Sequence, residues 1–449
     1  MPKSPRGTDW WFVAYNVLLV LLSPLLVLYL AWRLLIKGKG RAGFKQRLGF
    51  MPPPAAELGH HNDPVVWFQA CSVGEVAAVA PVIHALREIE PMAHIVVSNT
   101  TQAGHEAARA RHLEVDALVY FPFDIPPAIN HALNQVKPDL LVMVETELWP
   151  NILAMAHARG IRTAVINGRI SNRAYPRDMA IRPVLSWTLR QLDAILVQSE
   201  LNAERFRSLG APPERVEVVG NSKFDEKMPQ VSAAEADMLR LELGLAPDAP
   251  VLVAGSTREG EEEKVLDAFD LLRQEHRDVQ LVIAPRHIER GDAIERLILE
   301  RGYAVIRRSR QIANQESGAS EAPASQVRVV LLDTIGELTR VYALSTVVFV
   351  GGSLVPWGGH NILQPIALGK PTLMGPWMHN QQDTVDIALA EGAAIMVHSP
   401  QELAQVAARL LSSPSEREML AARGQSMMSH HGGASRRYAE RLSNLLHKE

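Results

Sequence analysis

The chain of 449 residues is well beyond one ordinary core of roughly 150, so two domains and a modest appendage are expected and a single small module is excluded. A composition of 47% hydrophobic and 21% charged residues, with 29 Pro and 29 Gly, excludes a disordered or collagen-like chain. The 46 basic and 49 acidic residues leave a net charge of -3, without the footprint of a nucleic-acid binder, and the single cysteine, Cys71, excludes an internal disulfide and a thiolate zinc cage.

From the amino terminus, Trp10 to Ala31 is an uncharged stretch interrupted only by Asn16, Ser23 and Pro24. As a helix it is long enough for a bilayer core of about 30 Å, which takes roughly 20 residues. Trp10, Trp11, Tyr29 and Trp32 stand at its ends, where rings with an apolar body and a polar tip meet headgroups. Arg33, Lys37, Lys39, Arg41, Lys45 and Arg47 follow it, whereas only Lys3 and Arg6 precede it, so a single-pass anchor with the rest of the chain in the cytoplasm is predicted. The run ends in Trp-Arg-Leu-Leu-Ile-Lys rather than a small-x-small cleavage site, which argues against a signal peptide. Gly38-Lys-Gly-Arg-Ala-Gly43 matches a dinucleotide-binding pattern in letters only, because no strand precedes it, and its cations suit anionic lipid at about 1 kcal/mol each.

After the Pro-rich connector Met51–Ala56, short apolar runs recur: Val65–Ala70, Ile95–Val97, Ala117–Phe121, Leu140–Val144, Thr163–Ile166 and Ala194–Val197. Continuous apolar runs of this kind suit strands buried on both faces of a parallel sheet. Helical periods fill the gaps, as with Val76, Val79, Ala80, Ile83 and Leu86, giving a βαβ pattern. A polar stretch from Lys223 to Asp237 breaks the rhythm, which restarts with Val251–Ala254, Gln280–Ala284, Val327–Leu332, Val347–Val350, Pro371–Met374 and Ala394–Val397. The predicted architecture is α/β: a membrane anchor and basic segment over residues 1–50, and two doubly wound Rossmann-like domains over 51–225 and 226–449. Ligands in such sheets bind at the carboxyl ends of strands, so a cleft between the halves is the expected site. Ser309 to Gln326 reads as a mobile low-complexity loop, and the segment from about Ser415 as charged helix.

Five strand ends carry the candidate chemistry. Cys71-Ser-Val-Gly-Glu75 opens a helix, whose dipole favours a carboxylate and would keep Glu75 available as a base; the alternative is a plain capping residue. Glu145-Thr-Glu-Leu-Trp-Pro-Asn151 groups two carboxylates, an indole and an amide, and could equally be a capped helix start. Gly255-Ser-Thr-Arg-Glu-Gly260 and Ala284-Pro-Arg-His287 bring basic and hydroxyl groups suited to an anion. Gly351-Gly-Ser-Leu-Val-Pro-Trp-Gly-Gly-His-Asn361 is a Gly-rich loop whose amides could reach a phosphate, although it is not a P-loop. No cysteine-based zinc spacing, H-E-x-x-H or Asp-x-Asp triplet occurs, so no catalytic metal is indicated; the remaining histidines, including His60 and His61, read as surface or core residues.

Together, Ser72–Glu75, Glu145–Asn151, Gly220-Asn-Ser-Lys-Phe-Asp225, Ala254–Arg258, Ala284–His287 and Gly351–Asn361 resemble the 3-deoxy-D-manno-octulosonic acid (Kdo) transferases of Gram-negative bacteria, in the family's order over nearly the whole chain. The resemblance implies a GT-B glycosyltransferase on the inner face of the inner membrane that moves Kdo from CMP-Kdo onto lipid IVA. It implies Glu75 as the catalytic base, and Glu145 and Lys223 as groups that stabilise the transition state. It places the cytidylate on Pro285 and Arg286, on the turn Ile335, Gly336 and Glu337, and on Asn361, Ile362, Leu363 and Gln364. CMP-Kdo would be a co-substrate, with no cofactor or metal, no nucleic-acid partner, and inversion at the anomeric carbon. Gln364 departs from the family's usual Glu; an amide still accepts a hydrogen bond, but a charge-assisted one is roughly twice as strong, so weaker donor binding is expected. The alternatives are another membrane-anchored GT-B transferase acting on a lipid-linked envelope precursor, and a catalytically dead scaffold.

Overall fold

The computed structural model describes residues 10–35, 42–58, 63–317 and 328–447. The charges at Lys3, Arg6, Lys37, Lys39 and Arg41, the pair His60 and His61, and residues 318–326 of the expected loop lie outside the described residues. The Val, Ile and Leu runs become strands because branched apolar side chains suit a surface covered on both faces. Seven belong to one unit: β1 (Val65–Gln69), β2 (His94–Asn99), β3 (Ala117–Tyr120), β4 (Leu140–Val144), β5 (Arg162–Gly168), β6 (Ala194–Val197) and β7 (Val216–Val218). All pair in parallel, in the order β3-β2-β1-β4-β5-β6-β7. The second unit holds β8 (Val251–Thr257), β9 (Gln280–Pro285), β10 (Ala304–Arg307), β11 (Arg328–Leu331), β12 (Val347–Val350), β13 (Thr372–Met374) and β14 (Ile395–Met396), parallel in the order β10-β11-β9-β8-β12-β13-β14.

The expected pair of doubly wound parallel sheets is therefore present. β7 and β10 are missing from the sequence reading; both lie at a sheet edge, where one side is open and a charged residue such as Glu217 is tolerated. A third departure concerns the expected loop from Ser309: Arg308–Ser317 is a helix. Its start is tied down by Asp333, which accepts from the backbone N and Oγ of Ser309, and by Glu337 and Glu242, which hold the Arg308 guanidinium. Composition shows none of these distant partners.

The chain divides into a unit of residues 1–226 plus 431–449 and a unit of residues 227–430. This corrects the assignment of the whole carboxyl terminus to the second domain. The final helix, Ala434–Leu446, buries Ala434, Tyr438, Ala439 and Leu442 completely in the core of the first unit, among Val76, Val79, Ile83 and Leu86 of the helix Val73–Ile89. Spacings of four, one and three residues put these side chains on one helical face. Asp225 fixes the helix start by accepting from the backbone N of Ser435 at 2.6 Å, and the Tyr438 hydroxyl donates to the Gly220 carbonyl at 2.6 Å. The last helix thus clamps the loop that carries Lys223.

Among the described residues no helix is long and apolar enough to cross a membrane, so the spanning helix expected over Trp10–Ala31 is not confirmed. A helix does run over Trp10–Leu35, and Phe12 packs its ring 5.7 Å from that of Trp187.

The clamp has a measurable consequence. Leu442→Ala leaves a cavity in a fully buried site and is expected to destabilise the first unit by about 3 kcal/mol, read from chemical denaturation.

Candidate active site

β1 and β4 are neighbours at the point where the strand order reverses, and backbone continuing past their carboxyl ends is the usual binding position in such sheets. Past β1, Ser72 caps the helix Val73–Ile89, its Oγ accepting from the Glu75 backbone N at 3.4 Å. The Glu75 carboxylate turns back to accept from the Cys71 backbone N at 2.6 Å and from the Ser72 hydroxyl at 3.0 Å. The capping role and the candidate functional role therefore fall on the same carboxyl group, and it is buried at 8% exposure.

Past β4 the backbone turns sharply at Glu145, whose φ of 60° is left-handed and unusual for a residue with a side chain. That turn aims the carboxylate at Lys223, with Nζ 2.6 Å from Oε1, and Asn167 Nδ2 lies 3.4 Å from the same oxygen. Lys223 sits on a short 3₁₀ turn, Ser222–Asp225, held by the Ser222 hydroxyl donating to Ala78 O at 2.7 Å and by Ser222 N donating to Asn167 Oδ1 at 3.1 Å. A Cβ placed on Gly74 would lie 4.0 Å from Lys223 Nζ, so the ammonium stands beside the turn that carries Glu75. Two residues on, Glu147 accepts from the Trp149 indole at 2.7 Å, and it approaches both Glu75 and Cys71. The structure thus brings Glu75, Glu145 and Lys223 together, and it adds Glu147 as a fourth ionisable member.

The charge state of Glu75 departs from the sequence expectation. Burial and the neighbouring carboxylates of Glu147 and Glu145 push its pKa up to about 8, over the opposing effect of the Cys71 and Ser72 hydrogen bonds. Desolvation and like charge outweigh the helix dipole, whose influence is at most a couple of kcal/mol. Glu145 goes the other way: burial alone would raise it, but contact with Lys223 holds it below the ordinary carboxylate range. Glu147 is raised by burial, and the Cys71 thiol is pushed up to about 12 by burial and by Glu147 and Glu75, which makes it a poor nucleophile. Ligand atoms of Cys71, Glu75 and Glu147 lie within 4.8 Å of one another, close enough for one cation, although Cys71 and Glu75 would each first release a proton.

The second unit places its candidates at the ends of β8, β9 and β12. Arg258, after β8, points Nε at His360 Nε2 at 3.2 Å, has NH1 2.7 Å from His287 Nε2, and lies over the Trp357 ring at 5.1 Å. His360 is held neutral, its pKa lowered to about 3 by burial, Arg258 and Arg286. Pro285 ends β9, and Arg286 follows it with an exposed side chain. The Gly-rich loop is not the open amide cradle that its sequence suggests. Buried Glu261 already accepts from the backbone N of Gly352, Ser353 and Leu354, at 2.5, 2.9 and 2.8 Å. Beside it, Glu262 binds Arg290 with two bonds of 2.7 and 3.1 Å. In sequence Glu259–Glu263 looks like a solvated charge run, and only the fold shows that two of its members are internal. Ile335 and Gly336 form an exposed turn with φ of 95° at the glycine, and the Glu337 carboxylate is paired with Arg308 at 2.9 Å. Asn361 accepts from Leu363 N at 2.9 Å, fixing the start of the five-residue helix on which Gln364 sits; Ile362 and Leu363 are buried.

A model of the family described as 3-Deoxy-D-manno-octulosonic-acid transferase (kdotransferase) matches residues 42–226, a segment that includes Glu75, Glu145 and Lys223. A 3-deoxy-D-manno-octulosonic acid transferase of Haemophilus influenzae is 31% identical over 375 residues, 82% of this chain and 83% of that protein. The chain belongs to the Kdo transferase family. A bifunctional glycosyltransferase/methyltransferase of Fusobacterium nucleatum is 35% identical over 77% of this chain, which spans only 52% of that longer relative. The UDP-GlcNAc 2-epimerase of Neisseria meningitidis, solved with UDP-GlcNAc, superposes with a TM-score of 0.55 over 86% of this chain and all of that one at 15% identity. At that identity the likeness is one of fold alone.

The raised pKa of the Glu75 carboxyl gives this Kdo transferase family member two testable pH dependences. If Glu75 is the base, kcat/KM rises with pH toward a plateau, with a midpoint near the pKa of about 8, and Glu147→Gln moves the rising limb to lower pH by removing a like charge. Folded Glu75 holds its proton more tightly than the unfolded chain does, so its contribution to stability is full at acid pH and is lost as pH rises through about 8. Thermal denaturation of Glu75→Gln should therefore show a smaller fall in Tm than the parent between about pH 5 and about pH 9.

Proposed function

We propose that the protein transfers Kdo from CMP-Kdo to lipid IVA, with inversion and without a metal cofactor, in lipopolysaccharide synthesis at the cytoplasmic face of the inner membrane. The observation that carries this reading is the ion pair of Lys223 and Glu145 beside buried Glu75, three residues inside the segment matched by the family. Glu75 takes the proton from the attacking sugar hydroxyl as that oxygen bonds to the anomeric carbon and the bond to the CMP oxygen breaks. Such general-base assistance contributes roughly 10² to 10⁴ in rate. With a pKa of about 8, roughly a tenth of Glu75 is ionised at neutral pH, enough for a base poised near the working pH.

Charge supports the division of labour. Positive charge grows at the anomeric carbon during transfer and negative charge grows on the departing phosphate, so an anionic Glu145 suits the first and cations suit the second. In the second unit, exposed Arg286 beside Arg258 offers guanidinium groups to the cytidylate, and the turn Ile335–Glu337 and the segment Asn361–Gln364 complete the proposed nucleotide site. The amides of Gly352, Ser353 and Leu354 take no part, because Glu261 holds them.

Purified protein with lipid IVA and CMP-Kdo is expected to give product masses stepped by one or more Kdo units. Glu75→Gln should abolish them while the variant still folds, and the parent should be insensitive to a chelator. Product of unchanged yield from Glu75→Gln would remove the base from this reading, and loss of product with a chelator would show that the Cys71, Glu75 and Glu147 group or another site needs a metal.

Gln364 provides a second test. Restoring the carboxylate by Gln364→Glu is expected to lower the KM for CMP-Kdo several-fold with kcat nearly unchanged, measured by CMP release; an unchanged KM would place the ribose elsewhere.

A further inference from the structure

The helix Trp10–Leu35 faces two ways. Its inner stripe meets the first unit. Phe12 packs on Trp187, and the Tyr15 hydroxyl donates to Asp124 Oδ2 at 3.0 Å. The Asn16 and Asn151 side-chain amides exchange a reciprocal pair of hydrogen bonds, Nδ2 of each donating to Oδ1 of the other, at 2.8 and 3.1 Å. With partly buried Leu19 these positions follow the i, i+3, i+4, i+7 spacing of one helical face. Asn16, the one strongly polar residue in the first half of an apolar run, is explained by this pairing. The outer face is apolar and uncovered: Val20 and Leu21 are 70% exposed, and Leu25 and Leu28 66%.

The path of the chain restricts how such a helix can meet a membrane. Tyr15 touches Asp124, and by Phe44 the chain is back beside the preceding residue, the Phe44 and Phe123 rings lying 6.5 Å apart. From Tyr15 to Leu35 the helix rises about 30 Å, the thickness of a bilayer core. If Leu35 lay across the membrane, residues 36–43 would have to return through it nearly fully extended, with their backbone unsatisfied and with Lys37, Lys39 and Arg41 in hydrocarbon. If instead Trp10 lay across it, Phe12, Tyr15 and Asn16 could not reach Trp187, Asp124 and Asn151.

We propose that this helix does not cross the bilayer but lies along the lipid leaflet against which the enzyme works, docked on the first unit through Phe12, Tyr15 and Asn16 with its Val13–Leu28 face in lipid. This deepens the membrane-held reading above and rests on it. The occupant is an anionic leaflet rather than another protein. Exposed tryptophans, Trp10 and Trp32, mark both ends of the apolar face, as at a headgroup boundary, and Arg33, Lys37, Lys39, Arg41 and Lys45 follow in the chain. Exposed Met179 and Ile181, with Arg177 and Arg182, sit immediately before and at the start of the helix Arg182–Leu189, which carries Trp187, and continue the same combination of apolar and basic groups. Docking also has a consequence for the site. Asn151 and Asp124 fix the start of the helix Pro150–Ala158, directly after the Glu145–Trp149 segment, so the lipid-facing helix and the acidic turn are set by one hydrogen-bond network.

Two measurements on the full chain test the placement. In spheroplasts of an expressing Gram-negative bacterium, a membrane-impermeant maleimide should label neither Lys3→Cys nor Glu418→Cys above the Cys71 background until the membrane is permeabilised, after which both label. Labelling of Lys3→Cys from outside, with Glu418→Cys protected, would show a spanning helix and overturn the proposal. Second, Leu21→Glu combined with Leu25→Glu, both at exposed positions, should weaken binding to vesicles of phosphatidylglycerol and phosphatidylethanolamine at least tenfold with Tm unchanged. Unchanged binding would overturn the lipid face. A parent that fails to bind these vesicles would sink the membrane-held reading itself, whereas a binding parent with Lys3→Cys labelled outside would sink only the docked placement.

Discussion

Three carboxyl groups, Glu75, Glu145 and Glu147, share a largely buried pocket of the first unit, and the ammonium of Lys223 contacts only one of them at ion-pair distance among the described residues. Burying a charge without a partner is far more costly than burying a neutral acid, so the site resolves the imbalance by protonation. Glu145 keeps its charge because Lys223 touches it, and Glu75 is left holding a proton at neutral pH. A carboxyl group with its pKa pushed up to about 8 is then a consequence of counting charges in a confined volume. Much of the first unit serves that count: the strained backbone at Glu145 aims its carboxylate, and the final helix clamps the loop that delivers Lys223.

The second unit meets the opposite need with an internal carboxyl group, that of Glu261. A turn rich in glycine presents several amides in one direction, and such a nest either binds a ligand anion or must be satisfied from within. Glu261 satisfies it from within. Guanidinium groups stand at the neighbouring strand ends, with His360 kept neutral beside Arg258 as an acceptor rather than a second cation. Arg286 is exposed just past the end of β9.

Much of the fold was legible in the chain. Strands covered on both faces must be continuously apolar, so β1 to β6, β8 and β9 and β11 to β14 announce themselves, and the alternation with amphipathic helices leaves a doubly wound parallel sheet as the simple solution. The edge strands β7 and β10 escaped because one open side relaxes that requirement. The helix at Arg308 escaped because its partners, Asp333, Glu337 and Glu242, are tens of residues away.

The sequence by itself determined which residue types stand at which strand ends, because motif order and local spacing are properties of the chain. That was enough to bring Glu75, Glu145, Lys223 and Arg286 forward and to point to a Kdo transferase. Only the tertiary structure decided the charge of Glu75, the occupation of the Gly352–Leu354 amides by Glu261, the return of the last helix to the first unit, and the pairing of Asn16 with Asn151. Each depends on distances between residues far apart in the chain, or on how much water a neighbour excludes. Electrostatic and burial energies follow those spatial distances, to which local periodicity is blind.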